Sequence, residues 1–136
     1  MYSDIPITET KQILTDVMEH NLIDTQVTQE LLNWYDVVTK QKYFINNSDI
    51  IIHNDGLAMG APSSNIIAEM FLQHTENLHL AHRTQKHKII NYFRCVDDIF
   101  LIFEPDYTNI QAILNYCNAM HPKLHFTADS STQTLE

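Results

Sequence analysis

The chain has 136 residues, 44% of them apolar, and its eight Lys and Arg against seventeen Asp and Glu leave a net charge of −9. That length suits one domain whose core needs no staples, and the acidic balance argues against a nucleic-acid binder, because phosphate contacts come mainly from Lys and Arg. Cys95 and Cys117 form neither a CxxC pair nor a disulfide framework; no apolar run has the length of a membrane span, and residues 1–6 lack the basic and apolar regions of a signal peptide, so an intracellular setting, nuclear or cytoplasmic, is expected.

Pro6-Ile7-Thr8-Glu9-Thr10 reads as a helix start. Pro suits the first turn, Thr can cap, and Glu9 complements the positive end of the dipole. Ile13, Leu14, Val17 and Met18 then form a helical stripe that Asn21 can end. A second helix is predicted over about residues 25–40, with Val27, Leu31, Trp34 or Tyr35, and Val38 inward and Trp34 as a packing residue. Residues 43–45 and 50–52 read as short strands around the turn Asn46-Asn47-Ser48-Asp49.

Both glycines of the chain fall in the next segment, His53-Asn54-Asp55-Gly56-Leu57-Ala58-Met59-Gly60-Ala61-Pro62-Ser63-Ser64. Glycine concentrated in one place marks backbone that takes positive φ or approaches something closely. The segment is either a loop that meets a flat or phosphate-bearing ligand at a helix start or an ordinary strand-to-helix connection. A third helix starts near Ser63 or Ser64, either able to cap. It runs through Ile66, Ile67, Met70, Phe71 and Leu78 to about His82, ahead of a polar, basic break over residues 83–88.

Two β-prone runs follow, residues 89–96 and 99–103, on either side of Asp97 and Asp98. They predict a β-hairpin, and the second run is apolar throughout, so that strand is expected to be buried on both faces. The two carboxylates are either the polar tip of the hairpin or ligands for a cation. Mg²⁺ fits them, since it takes oxygen ligands and keeps several waters, although a third carboxylate normally has to converge from elsewhere. A fourth helix is predicted over about residues 108–120, with Ile110, Ile113, Leu114 and Cys117 inward and Pro122 as its stop. Leu124-His125-Phe126-Thr127-Ala128 alternates like an edge strand. His74, His79, His82 and His87 lie on or just after the third helix without Cys or a HExxH pattern, so surface histidines explain them better than zinc. Cys95 reads as a small core residue. The fold class expected is α+β, an antiparallel sheet backed by helices.

Taken together, residues 56–64 and Tyr92-Phe93-Arg94-Cys95-Val96-Asp97-Asp98-Ile99-Phe100-Leu101-Ile102-Phe103 resemble motifs B and C of the reverse transcriptase palm, most closely that of Penelope-like and related non-LTR retroelement polymerases. Tyr43-Phe44, Ala68-Glu69 and residues 121–127 fit the flanks, so the resemblance spans nearly the whole chain. It implies the palm subdomain of a right-hand polymerase and template-directed nucleotidyl transfer with two Mg²⁺ ions, using an RNA or DNA template-primer and a deoxynucleoside triphosphate. Asp97 would be the principal metal ligand and Asp98 its partner. Gly56, Met59, Gly60, Ala61, Pro62 and Ser63 would lie against template and nucleotide, and Val96 near the primer end. Lys123 falls loosely where motif D places a lysine.

Several positions depart from the family pattern. Cys95 stands where the family has Tyr, His53 where it has Gln, Ala61 where it has Ser, and Asn65 where Pro is common. Residues 1–7 resemble the tail of motif A, which puts the family's third Asp ahead of Met1. The expectation is therefore a partial palm, residues 1–136, truncated at both ends, inactive alone and doubtful as a nucleic-acid binder. The rival expectation is a non-enzymatic remnant of a decayed mobile element.

Overall fold

Pro6 caps the first helix by backbone geometry alone, with φ −76° and ψ 112° and no side-chain hydrogen bond. The structure, a computed structural model, describes residues 2–40, 43–47, 49–52 and 56–129. Its class is α+β. Where composition suggested one domain, the chain divides into two compact units, Met1–His74 and Thr75–Glu136, with the boundary inside the third helix.

In the first unit a 3₁₀ turn, Tyr2–Asp4, precedes α1 (Ile7–His20) and α2 (Thr25–Lys40). The expected Thr cap of α1 is not formed. The Thr10 hydroxyl instead donates back to the Pro6 and Ile7 carbonyls, each at 3.0 Å, and shares a hydrogen bond with the Tyr35 hydroxyl. Tyr35 in turn donates to the Ile7 carbonyl at 2.9 Å. Lys11 reaches both oxygens of Asp36, at 2.7 and 2.8 Å. Tyr35 and Thr39, one helical turn apart, take the inward face of α2. Trp34, a third of a turn away, is 66% exposed and is not the packing residue the sequence suggested. Val27, Leu31 and Val17 are likewise exposed, while Ile13 and Met18 are buried as expected.

Between the helices, Leu22 sits at φ 54°. Its N–H bonds to the Glu19 carbonyl and that of Ile23 to the Met18 carbonyl, both at 3.0 Å, which is the Schellman pattern for closing a helix. Asp24 then caps α2 by accepting from the Gln26 N–H at 2.9 Å. Strands β1 (Tyr43–Asn46) and β2 (Asp49–Ile52) pair antiparallel about a turn at Asn47, φ 48°. His53, and the Ser48 of that turn, lie outside the described residues.

Helix α3 (Pro62–His87) begins with proline in the first turn, where a missing N–H does no harm. Neither Ser63 nor Ser64 starts it; the Ser64 hydroxyl donates to the Ala58 carbonyl at 2.6 Å. Its first turns bury Ile67, Ala68, Phe71 and Leu72. The helix also runs past His82 through the expected break. Residues 83–87 include no Gly or Pro, and Arg, Gln and Lys are good helix formers. Termination waits for Lys88, at φ 47°.

In the second unit, β3 (Ile89–Cys95) pairs antiparallel with β4 (Asp98–Phe103), with a bulge at Ile90. α4 (Ile110–Asn118) is capped by Asn109, whose side chain accepts from the Ala112 N–H at 2.9 Å. Ile89, Ile113, Cys117 and Leu124 are buried. The expected antiparallel sheet is therefore two separate two-stranded hairpins. The edge strand expected over residues 124–128 is absent. The Asn118 side chain pairs with both backbone groups of Phe126, accepting from its N–H at 2.7 Å and donating to its carbonyl at 3.2 Å, as a neighbouring strand would. No helix among the described residues is long and apolar enough to cross a membrane.

Candidate functional site

The β3–β4 register fixes what the hairpin presents. Arg94 pairs with Ile99, Cys95 pairs with Asp98, and Val96 and Asp97 form the loop. The tip is thus Val96-Asp97, not the acidic pair, and Asp98 is the first residue of β4. Val96 has φ 57°. A positive φ at the first position of a two-residue hairpin loop is the type II′ sign and is usually glycine's place. A β-branched residue there is a true outlier, worth on the order of 1–3 kcal/mol of strain, and it persists only where the surroundings over-determine it.

Alternation along the strands sorts the side chains. Tyr92, Arg94, Ile99 and Leu101 share one face and are partly buried. Phe93, Cys95, Asp98 and Phe100 share the other and are exposed, with the Phe93 and Phe100 rings 6.4 Å apart. The expectation that β4 is buried on both faces, and Cys95 with it, does not hold. A two-stranded hairpin has only one face turned to its own unit, so alternate apolar side chains of β4 remain outside. Val96, Asp97 and Asp98 are all exposed.

The inner face carries Tyr92 and Arg94, named in the sequence only as part of the motif C-like run, and both meet a residue that run does not include, Glu76. The Arg94 guanidinium forks the Glu76 carboxylate of α3, Nε to Oε1 at 2.8 Å and Nη2 to Oε2 at 3.2 Å. The Arg94 and Glu76 side chains are only 9% and 16% exposed. Tyr92 donates its hydroxyl to the same carboxylate. Arg94 Nη1 then donates to the Val96 carbonyl at 3.0 Å, so one guanidinium ties the helix to the loop. A Glu sixteen and eighteen residues ahead of a Tyr-x-Arg pair was the available signal.

The glycine segment lies in the first unit, the acidic pair in the second. Gly56 is buried at φ 77°, and a Cβ there would stand 2.1 Å from the Ser3 carbonyl oxygen. Its close approach is therefore to the chain's own 3₁₀ turn, and as a ligand-contacting residue it is displaced inward. Gly60, at φ 86°, is exposed, with nothing within 4 Å of such a Cβ. Met59 and Pro62 are exposed, and Ala61 and Ser63 partly so.

Asp97 and Asp98 supply the hard oxygen donors that Mg²⁺ takes, one or two carboxylates being a usual protein share of its shell. Among the described residues no third His, Cys, Asp or Glu joins them. No such cluster forms around His74 or His79 either; the side chains of His82 and His87 lie outside the description. The chain was compared with known protein families, curated proteins and solved structures, and nothing matched.

Proposed function

We propose that the chain is part of a reverse transcriptase palm, in which Asp97 and Asp98 are two of the carboxylates that hold catalytic Mg²⁺. The observation that carries this reading is the hairpin. Two adjacent acids of a motif C-like sequence occupy a tight loop and the first residue of the next strand, both open to solvent. A second contact agrees with it: the segment resembling the motif A tail meets, at Ser3, the first glycine of the segment resembling motif B. The reaction class is attack of a primer 3′-hydroxyl on the α-phosphorus of a deoxynucleoside triphosphate, with pyrophosphate leaving; Asp97 and Asp98 would hold metal, which would supply activation of the attacking oxygen and stabilisation of the leaving one. Gly60, Met59, Ala61, Pro62 and Ser63 would face template and nucleotide, and Val96 the primer end.

Among the described residues no third carboxylate joins the pair, and the 136 residues alone are expected not to extend a primer. Mn²⁺ titrated into the labelled chain should broaden the amide signals of residues 95–99 first. Asp97→Asn with Asp98→Asn should abolish that selectivity. Absence of selective broadening at millimolar Mn²⁺ sinks the metal-site reading. Robust Mg²⁺-dependent extension by this chain, lost in Asp97→Ala, overturns the expectation of inactivity. The rival reading, a non-enzymatic remnant, draws on Cys95, whose exposed thiol faces Asp98's position where the family has an aromatic ring.

A further inference from the structure

We propose that Glu76 and Arg94 are positioning residues, which hold the Val96–Asp97 loop in its left-handed form and so preset the two carboxylates beside it. This rests on the metal-site reading for its purpose, though not for its geometry. Three observations converge on it. Val96 occupies a conformation that valine does not adopt by preference, φ 57°. Its carbonyl accepts from Arg94 Nη1 at 3.0 Å. The same guanidinium is fixed on its other edges by both oxygens of Glu76, a carboxylate that Tyr92 also engages.

The chemistry requires arginine. Its planar fork presents five donors, enough to grip a carboxylate with two and still direct a third at a peptide carbonyl. A lysine ammonium is a point charge on a flexible stem and cannot fix both ends at once. Glu76 anchors the fork to α3, so the loop is referred to a rigid helix rather than to its own strands. The carboxylates inherit that reference because Asp97 lies in the loop and Asp98 closes it opposite Cys95. Outer partners that orient metal ligands typically change metal affinity 10–100-fold when lost.

The test uses the full chain, labelled for NMR, with the sign of the Val96 φ read from couplings and Mn²⁺ affinity from line broadening. Arg94→Lys should move Val96 to negative φ and weaken Mn²⁺ binding by about tenfold. The exchange Glu76→Arg with Arg94→Glu restores an ion pair, but a carboxylate cannot donate to the Val96 carbonyl. It should keep the melting temperature of the parent more nearly than Arg94→Lys does, yet lose the left-handed Val96. Should Arg94→Lys fail to fold, Glu76→Gln, which weakens the anchor without changing its shape, carries the same readouts. A positive Val96 φ that survives in these variants overturns the proposal. If even the unmodified chain binds no Mn²⁺, the metal-site reading falls, and the Val96 readout decides the positioning claim by itself.

Discussion

Gly56 and Gly60 share a backbone sign and differ in everything around it. At Gly56 an added methyl meets Ser3 backbone at 2.1 Å, while at Gly60 it meets open space. Gly60→Ala should therefore cost about 1–2 kcal/mol, the left-handed penalty alone. Gly56→Ala adds steric overpacking and should cost about 2–5 kcal/mol; chemical denaturation of the two variants side by side checks the order. Leu22 presents the reverse case, an L-residue at φ 54° where helix closure favours glycine. Leu22→Gly should stabilise by about 0.5–1 kcal/mol, the left-handed penalty relieved less the entropy that glycine brings to the unfolded chain. Two titrating groups in the first unit pull in opposite directions. The Lys11 hydrogen bond holds the Asp36 carboxyl below its ordinary range, so its share of stability is present above about pH 4 and is lost as pH falls through the lowered value. Burial pushes the Tyr35 hydroxyl above its ordinary range, against the pull of the Thr10 hydrogen bond. Its share is complete below about pH 10 and is lost as pH rises through the raised value. Melting curves across pH should show both limbs, with Asp36→Asn flattening the acid one and Tyr35→Phe the alkaline one.

Among the elements, the segment over residues 124–129 forms no strand, and at Phe126 a side chain takes the place of a neighbouring strand. The Asn118 amide satisfies both polar groups of Phe126. Asn118→Ala should leave them without that partner and destabilise by about 1–3 kcal/mol. Hydrogen exchange at the Phe126 amide should accelerate well beyond that of the α4 amides. The sequence could not disclose this, because its alternating pattern signals extended backbone without saying what completes the hydrogen bonds. The four helices were legible for the opposite reason. Period, Pro6 and Asn21 are local signals that survive in the fold. Other local readings failed, namely the Thr cap, the Ser63 or Ser64 start and the break after His82, and so did long-range ones. Nothing at Trp34 says that Tyr35 will win the inward face, and nothing in residues 99–103 says that their hairpin stays two-stranded.

At the scale of the whole molecule, each sheet among the described residues has two strands only. A two-stranded hairpin is marginal in water without packing, and Phe93, Phe100 and Ile90 remain exposed on β3 and β4. The net charge of −9 opposes association through mutual repulsion. Salt shortens the reach of that repulsion to about 3 Å at 1 M. Light scattering should then show the chain associating as salt is raised at constant pH, and a monomer at every salt concentration would contradict this. The acidic pair of the candidate site was legible as a motif, but its support was not, because Glu76 joins Arg94 only once α3 and β3 are folded against each other.

The close approach of Gly56 to Ser3 also has a hereditary consequence. Any lineage that keeps this fold must keep glycine at position 56, whatever the chain is for, since both its φ and its neighbour exclude a side chain. Position 60 is under no such steric order, and left-handed backbone there tolerates Asn or Asp as well. Descendants that retain Gly56 and let Gly60 drift would be preserving a shape. Descendants that retain both would also be sparing the left-handed penalty at position 60.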